Sequence, residues 1–253
     1  MDIIKLALIG ATGRFSSDIL TEIEYSNSFL LSNAVTREGN QFVGQNISLI
    51  SEYKKTNVVI SDGFNNLGEV DVIVDVTVRD AFINNNAVQY ERLKKPLVIA
   101  TTAFSDEDLL YIKELSELFP IIMAANFSMN IYMFIDEVRR IVNRGGFAKV
   151  DILEKHHKYK LDSPSGTALK ILEAIKETDE NIDVEISSIR EGDIIGEHYV
   201  TFQSTLGETI EMAHKLESRR QLADGVLMAA EFVSSRENGL YTIEDLLKDG
   251  VLD

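Results

Sequence analysis

The chain has 253 residues, 45% of them apolar, and 41 acidic against 25 basic side chains give it a formal net charge of -16. That length admits one large domain or two modest ones with a real core, while the charge repels phosphate backbones and anionic lipid and so argues against nucleic acid and membrane surfaces as partners. There is no cysteine, which removes disulfides, thiolate metal sites and cysteine nucleophiles together and fits a reducing compartment, by default the cytoplasm.

The opening segment, MDIIKLALIGATG, carries an acidic residue at position 2 and only a short apolar run before glycine. It reads as a buried strand, not as a signal peptide or membrane span. Further strands are expected at 29–35, 58–60, 70–77, 97–102 and 121–125, β-branched in large part and mostly apolar, with helices near 14–25, 80–93 and 105–118. Strands of that kind alternating with helices predict a doubly wound, Rossmann-like α/β sheet covered on both faces. Ser105 is a natural N-cap, and the acids at 106–108 suit the positive end of the helix that follows.

The second half changes character. A helix over 128–143 ends at Gly145-Gly146, and strands follow at 148–157, 184–191, 198–204 and 208–215, the last two flanking a Leu206-Gly207 hairpin. These predict an α+β domain with an open antiparallel or mixed sheet. A helix at 219–236 and a short one led by Thr242 and Asp245, which resemble a capping box, close the chain.

GATGRFS, residues 10–16, follows the first strand and opens a helix, the context a dinucleotide fingerprint requires. Gly10 allows the tight turn, and Gly13 lets the backbone approach a pyrophosphate facing the free amides of the helix start. Ser16 stands at the third glycine position. An acidic residue after the second strand would hold the ribose of NAD, but here Thr36-Arg37 stand there, and an arginine can pair with a 2′-phosphate. NADPH is therefore favoured, and Glu38 beside it keeps NADH possible.

The stretch EKHHKYKLDSPSGTALK, residues 154–170, gathers two histidines and four lysines in this acidic chain. Ser165 caps a helix whose first amides, around Gly166 and Thr167, point outward and can take a carboxylate, with Lys160 supplying positive charge from the loop before it. His156 and His157 end a strand, so their rings point to opposite sides; a histidine here can deliver or accept a proton. They lack i, i+4 helical spacing and an HExxH partner, so no metal is expected.

HHKYKLDSPSGTA, together with GATGR, ATTAF, AANFS and REGDIIGEH, resembles the dihydrodipicolinate reductase family nearly end to end. The resemblance implies a dinucleotide-binding domain over 1–127 and 220–253 and a substrate-binding and oligomerisation domain over 128–219. It implies cofactor contacts from Gly10, Ala11, Thr12, Gly13, Arg14, Phe15, Thr36, Arg37, Ala100, Thr101, Thr102, Ala124, Ala125, Asn126 and Phe127. His156 and Lys160 would be the proton-donating pair, with His157, Gly166 and Thr167 holding the substrate, a small cyclic imine with two carboxylates. A homotetramer and a place in the diaminopimelate route to lysine come with the resemblance. Ser16, Val78-Arg79, Ala103 and Asn130 depart from the family's usual residues. The residues alone leave open a dinucleotide-sensing protein without catalysis, an assembly protein, or a reductase of another small cyclic acid.

Overall fold

The computed structural model describes residues 3–65 and 67–249. Met1, Asp2 and residues 250–253, the outer limits of the expected first domain, lie outside the described residues. In chain order the elements are β1 (Ile4–Ile9), α1 (Arg14–Tyr25), β2 (Phe29–Val35), β3 (Ile60–Ser61), β4 (Val72–Asp75), α2 (Arg79–Ala81), a π-helical turn (Phe82–Asn86), α3 (Ala87–Leu93), β5 (Leu97–Ile99), α4 (Asp106–Ser116) and β6 (Pro120–Met123). Then follow α5 (Met129–Arg144), β7 (Phe147–His156), α6 (Gly166–Thr178), β8 (Asp183–Arg190), β9 (Gly196–Ser204), β10 (Thr209–Leu216), α7 (Arg220–Ser234), β11 (Gly239–Tyr241) and α8 (Ile243–Lys248). They form two compact units, one of residues up to 127 and from 220 onward, the other Ser128–Arg219.

In the first unit seven strands lie in the order β11-β6-β5-β4-β1-β2-β3, every pair parallel. Ala7, Ile9, Ile73, Leu97, Ile99 and Ile121 join one buried cluster with Phe82, Tyr90, Ile112 and Leu115. The alternating residues Leu6, Leu8, Val72, Val74, Val98 and Ile122 are buried as well, because α7 packs on β4, β5 and β6. Burial on both faces is the reason these strands read as unbroken apolar runs.

Several expected elements differ in extent. The strand expected over 97–102 stops at Ile99, because the Thr101 hydroxyl turns inward to Asp75 Oδ1 and to the Thr77 carbonyl, each at 3.0 Å. The strand expected at 121–125 ends at Met123, and that expected at 58–60 is Ile60–Ser61. The helix expected at 80–93 is broken by a π-helical turn that places the Asn86 amide 2.9 Å from Asp75 Oδ2. β11 is absent from the expected strands; three residues that begin with a glycine carry too little pattern, and only pairing with β6 defines them.

In the second unit a mixed sheet runs β10-β9-β7-β8, with β7 and β8 parallel and the other pairs antiparallel. On β7 the buried residues are Val150, Ile152, Glu154 and His156, one face of a period-2 strand. α5 buries Ile131, Phe134, Ile135, Val138 and Val142 at helical spacing, and α6 buries Ala168, Ile171, Ala174 and Ile175. A carboxylate and an imidazole therefore sit in line with the core side chains of their own strand.

Candidate active site

The cofactor residues predicted in the first unit come together at the carboxyl ends of its parallel strands, where doubly wound sheets bind ligands. Gly10 to Gly13 follow β1, Thr36 and Arg37 follow β2, Ala100 to Thr102 follow β5, and Ala124 to Phe127 follow β6; Arg14 and Phe15 begin α1. Gly10 has φ +90°, and a β-carbon there would stand 3.1 Å from the Thr77 side chain and 3.2 Å from the Val76 carbonyl. Gly13 caps α1 with no side-chain hydrogen bond to the first-turn amides. This backbone cradle suits a pyrophosphate. Thr12 and Thr36 join their hydroxyls at 2.8 Å, and Asn40 Nδ2 donates to Thr12 Oγ1 at 3.2 Å, so the loops after β1 and β2 are tied together. Arg37 is exposed, and its guanidinium enters no hydrogen bond or ion pair among the described residues.

Asp75, unassigned from sequence, organises the next two loops. Its carboxylate is fully buried and accepts from Thr77 N (2.8 Å), Thr77 Oγ1 (2.6 Å), Asn86 Nδ2 (2.9 Å), Tyr90 OH (2.5 Å) and Thr101 Oγ1 (3.0 Å). Burial, with the carboxylate beside it, pushes the Tyr90 phenol well above its ordinary value, so it stays a donor. Arg79, expected as part of an altered turn, pairs with both oxygens of Asp108 at 2.6 and 2.9 Å. That pair leads the causes holding the Asp108 carboxyl down at about 2.

In the second unit His156 and Glu154 lie on the buried face of β7, and Nδ1 of His156 is 2.5 Å from Glu154 Oε2. The chain turns immediately after, with Lys160 N donating to the His157 carbonyl at 3.1 Å, so Lys160 comes back close enough to act on the imidazole by charge. His157 falls outside the strand and is half-buried. Lys160 Nζ is 2.9 Å from Asp162 Oδ1. Burial works to raise the Asp162 carboxyl, but that ammonium outweighs it and holds the group below its ordinary value.

Ser165 caps α6 through a hydrogen bond from Ala168 N at 3.2 Å. Gly166 is exposed, and a β-carbon there would meet nothing within 4 Å. An approaching carboxylate finds no obstruction at that helix start. Thr167 is half-buried beside it.

Three further groups escaped the sequence reading although their residues lie in the segments quoted above. Glu154 is two residues before His156 and so shares its face; its oxygens accept from Arg190 Nη1 at 2.9 Å and Nη2 at 2.7 Å, and from Ser165 N at 3.2 Å. Burial works to raise the Glu154 carboxyl, but Arg190, the Ser188 hydroxyl and His156 outweigh it and hold the group at about 2. Arg190 stands directly across the parallel ladder from His156. His198 on β9 is buried edge-on to His156, ring centroids 5.4 Å apart, and burial drives it down to about 3. His156 itself is pushed below its ordinary value by burial, which overrides the carboxylate. Burial thus favours the neutral form of this imidazole.

Comparison with known proteins accounts for both units. A family model described as "Dihydrodipicolinate reductase, N-terminus" matches residues 4–127, and one described as "Dihydrodipicolinate reductase, C-terminus" matches 129–247. A protein of Buchnera aphidicola subsp. Schizaphis graminum named 4-hydroxy-tetrahydrodipicolinate reductase is 32% identical, covering 98% of both chains. A protein of the same name from Pseudoalteromonas atlantica is 30% identical over 96% of this chain and 98% of its own. Among solved structures, a dipicolinate-bound dihydrodipicolinate reductase from Paenisporosarcina sp. TG-14 has a TM-score of 0.73 at 21% identity, covering 95% of this chain and 97% of that one; at that identity the likeness speaks for the fold. With relatives aligned from end to end and family models spanning both units, this chain belongs to the dihydrodipicolinate reductase family.

Proposed function

We propose that this protein reduces 4-hydroxy-tetrahydrodipicolinate, or dihydrodipicolinate, to tetrahydrodipicolinate in the diaminopimelate route to lysine. The observation that carries this reading is the second unit's combination of a carboxylate-bound imidazole, a nearby ammonium and an unobstructed helix start. A small dicarboxylate needs positive potential at two places and a proton source at a third. Gly166, Thr167 and His157 hold the carboxylates, Lys160 contributes charge, and His156 and Lys160 form the pair through which the proton reaches the reduced ring.

A bound NAD(P)H supplies the hydride. The chain's own part on that side is to hold the pyrophosphate at the loop Gly10 to Phe15, on the helix-start amides after Gly13, since those of Gly10, Ala11 and Gly13 already donate to the Val35 and Gly10 carbonyls, with Thr36 and Arg37 receiving the adenosine end. The unengaged Arg37 supports NADPH as the favoured cofactor, since a guanidinium grips a 2′-phosphate by charge-assisted hydrogen bonds, and the neighbouring Glu38 leaves NADH usable. Loops 100–102 and 124–127 form the remaining wall. Assembly as a homotetramer through the second unit and residence in the cytoplasm belong to the same proposal.

The test is an absorbance assay at the reduced-nicotinamide band with each cofactor in turn, coupled to enzymatic synthesis of the unstable substrate. Consumption that depends on substrate, is inhibited by pyridine-2,6-dicarboxylate and is faster with NADPH is the expected result. Dinucleotide binding without consumption would overturn it.

A further inference from the structure

Which nitrogen of His156 works is decided by its neighbours in the second unit. With Glu154 ionised, its Oε2 can only accept, so the hydrogen in the 2.5 Å contact belongs to Nδ1 of His156. The neutral ring then carries a bare Nε2. On that side of the ring lies Gly196, the first residue of β9 and buried. A methyl group at Gly196 would stand 3.2 Å from His156 Nε2 and 3.6 Å from Cδ2. Its φ is not positive, so the backbone has no need of glycine there, and what distinguishes the position is the close approach to the imidazole. Arg190 offsets the charge of Glu154, and Ser165 N ties the same carboxylate to the cap of α6. One side chain therefore sets both the ring and the helix start.

We propose that Glu154 is the positioning residue that commits His156 to its Nδ1–H tautomer, making Nε2 the working nitrogen, and that Gly196 is glycine because a side chain there would close off that atom. The inference rests on the acid–base role of His156 proposed above and assigns that role to one atom. Proton exchange with a ligand is then confined to Nε2, since Nδ1 is engaged by Glu154. The bare Nε2 must first take up a proton, from the Lys160 ammonium or from solvent, before it can pass one to the reduced ring, and the orienting carboxylate acts on the tautomer without itself changing protonation.

The test uses the full-length protein with ring-¹⁵N-labelled histidine and long-range ¹H–¹⁵N correlations at pH 7.5. Only four histidines are present, and the loss of one ring system in His156→Asn assigns the signal. The wild type shows the Nδ1–H tautomer, Glu154→Ala moves the population toward Nε2–H, and Glu154→Gln, whose amide oxygen still accepts, stays with Nδ1–H. kcat/KM falls by at least about tenfold in Glu154→Ala and by less in Glu154→Gln. The groups facing the ring are Glu154, Lys160, Arg190 and the His198 imidazole; without the negative charge of Glu154 the protonated imidazole is less stabilised, so the limb of the pH profile that His156 controls moves to lower pH in Glu154→Gln. Gly196→Ala keeps the tautomer and the NADPH affinity but lowers kcat by at least about tenfold.

An Nε2–H wild type, an unchanged tautomer in Glu154→Ala, or full turnover in Gly196→Ala overturns the proposal. Should Glu154→Ala fail to fold, the wild-type spectrum and Gly196→Ala decide alone. Full activity in His156→Ala would instead sink the acid–base role and leave the tautomer finding standing, so the two failures are distinguishable.

Discussion

The hydroxyl of Ser16 lies 2.7 Å from the carbonyl oxygen of Gly10, closing the glycine loop across its own helix start. Ser16 stands where the family resemblance has glycine, and it is buried. The substitution therefore adds an internal bond to the loop while keeping its turn. Ser16→Ala is expected to cost about 1 kcal/mol, the usual net worth of such a bond, and to weaken NADPH binding a few-fold. Ser16→Gly loses about 1 kcal/mol more through helix entropy. Urea denaturation and fluorescence titration with NADPH check both.

Asp75 holds five donors from the loop after β4, the helical segment and the loop after β5. Tyr90→Phe removes one and leaves the carboxylate otherwise satisfied, for a loss of about 1 kcal/mol. Asp75→Asn turns an amide donor toward groups that already donate, costing about 2–3 kcal/mol, and loosens Thr77 and Thr101 together. The larger fall in denaturation midpoint, accompanied by weaker dinucleotide binding, belongs to Asp75→Asn; equal effects of the two variants would contradict this.

Ala103 adopts φ +67°, a conformation that costs an alanine about 1–2 kcal/mol and a glycine almost nothing. The resemblance puts glycine at this place, and the backbone has kept the turn without the residue suited to it. Ala103→Gly should stabilise the protein by about 0.5–1 kcal/mol after allowing for the freer unfolded chain. A drop in midpoint would show that the alanine side chain contributes something the turn geometry does not reveal.

His198 supplies a pH dependence of stability. Burial lowers it from 6.5 to about 3, so between those values the unfolded chain binds the proton that the folded chain refuses, and stability rises with pH. Its contribution is complete above about pH 6.5 and is lost progressively as pH falls toward 3. Glu154, depressed from 4.5 to about 2, adds a second loss below pH 4.5. His198→Phe is expected to flatten the decline between pH 6.5 and 5 without touching the lower one. Denaturation midpoints at pH 7, 6 and 5 suffice, and an unchanged slope would refute the assignment.

His156→Ala and Lys160→Ala should each lower turnover by at least about tenfold while NADPH affinity stays nearly constant, because their contacts lie within the second unit. Near-normal turnover in both would remove the proton-transfer assignment. In Lys160→Ala, Asp162 also loses its partner at 2.9 Å, and its carboxyl is expected to rise toward an ordinary value.

Periodicity and local chemistry were legible in the sequence. Buried parallel strands announce themselves as apolar runs, Arg14–Tyr25 and Phe29–Val35 have their expected limits, and the caps at Ser105, Ser165 and Thr242 act through the groups within four residues of them. Only the tertiary structure decided which distant groups meet. Arg190 reaches Glu154 because β8 pairs in parallel with β7, Gly196 faces an imidazole because β9 runs antiparallel beside it, and five donors find Asp75 because two loops, a π-turn and α3 converge on one strand end. Local rules act over a few residues of chain, whereas hydrogen bonds and close packing act over a few ångströms of space, and the fold alone converts one into the other.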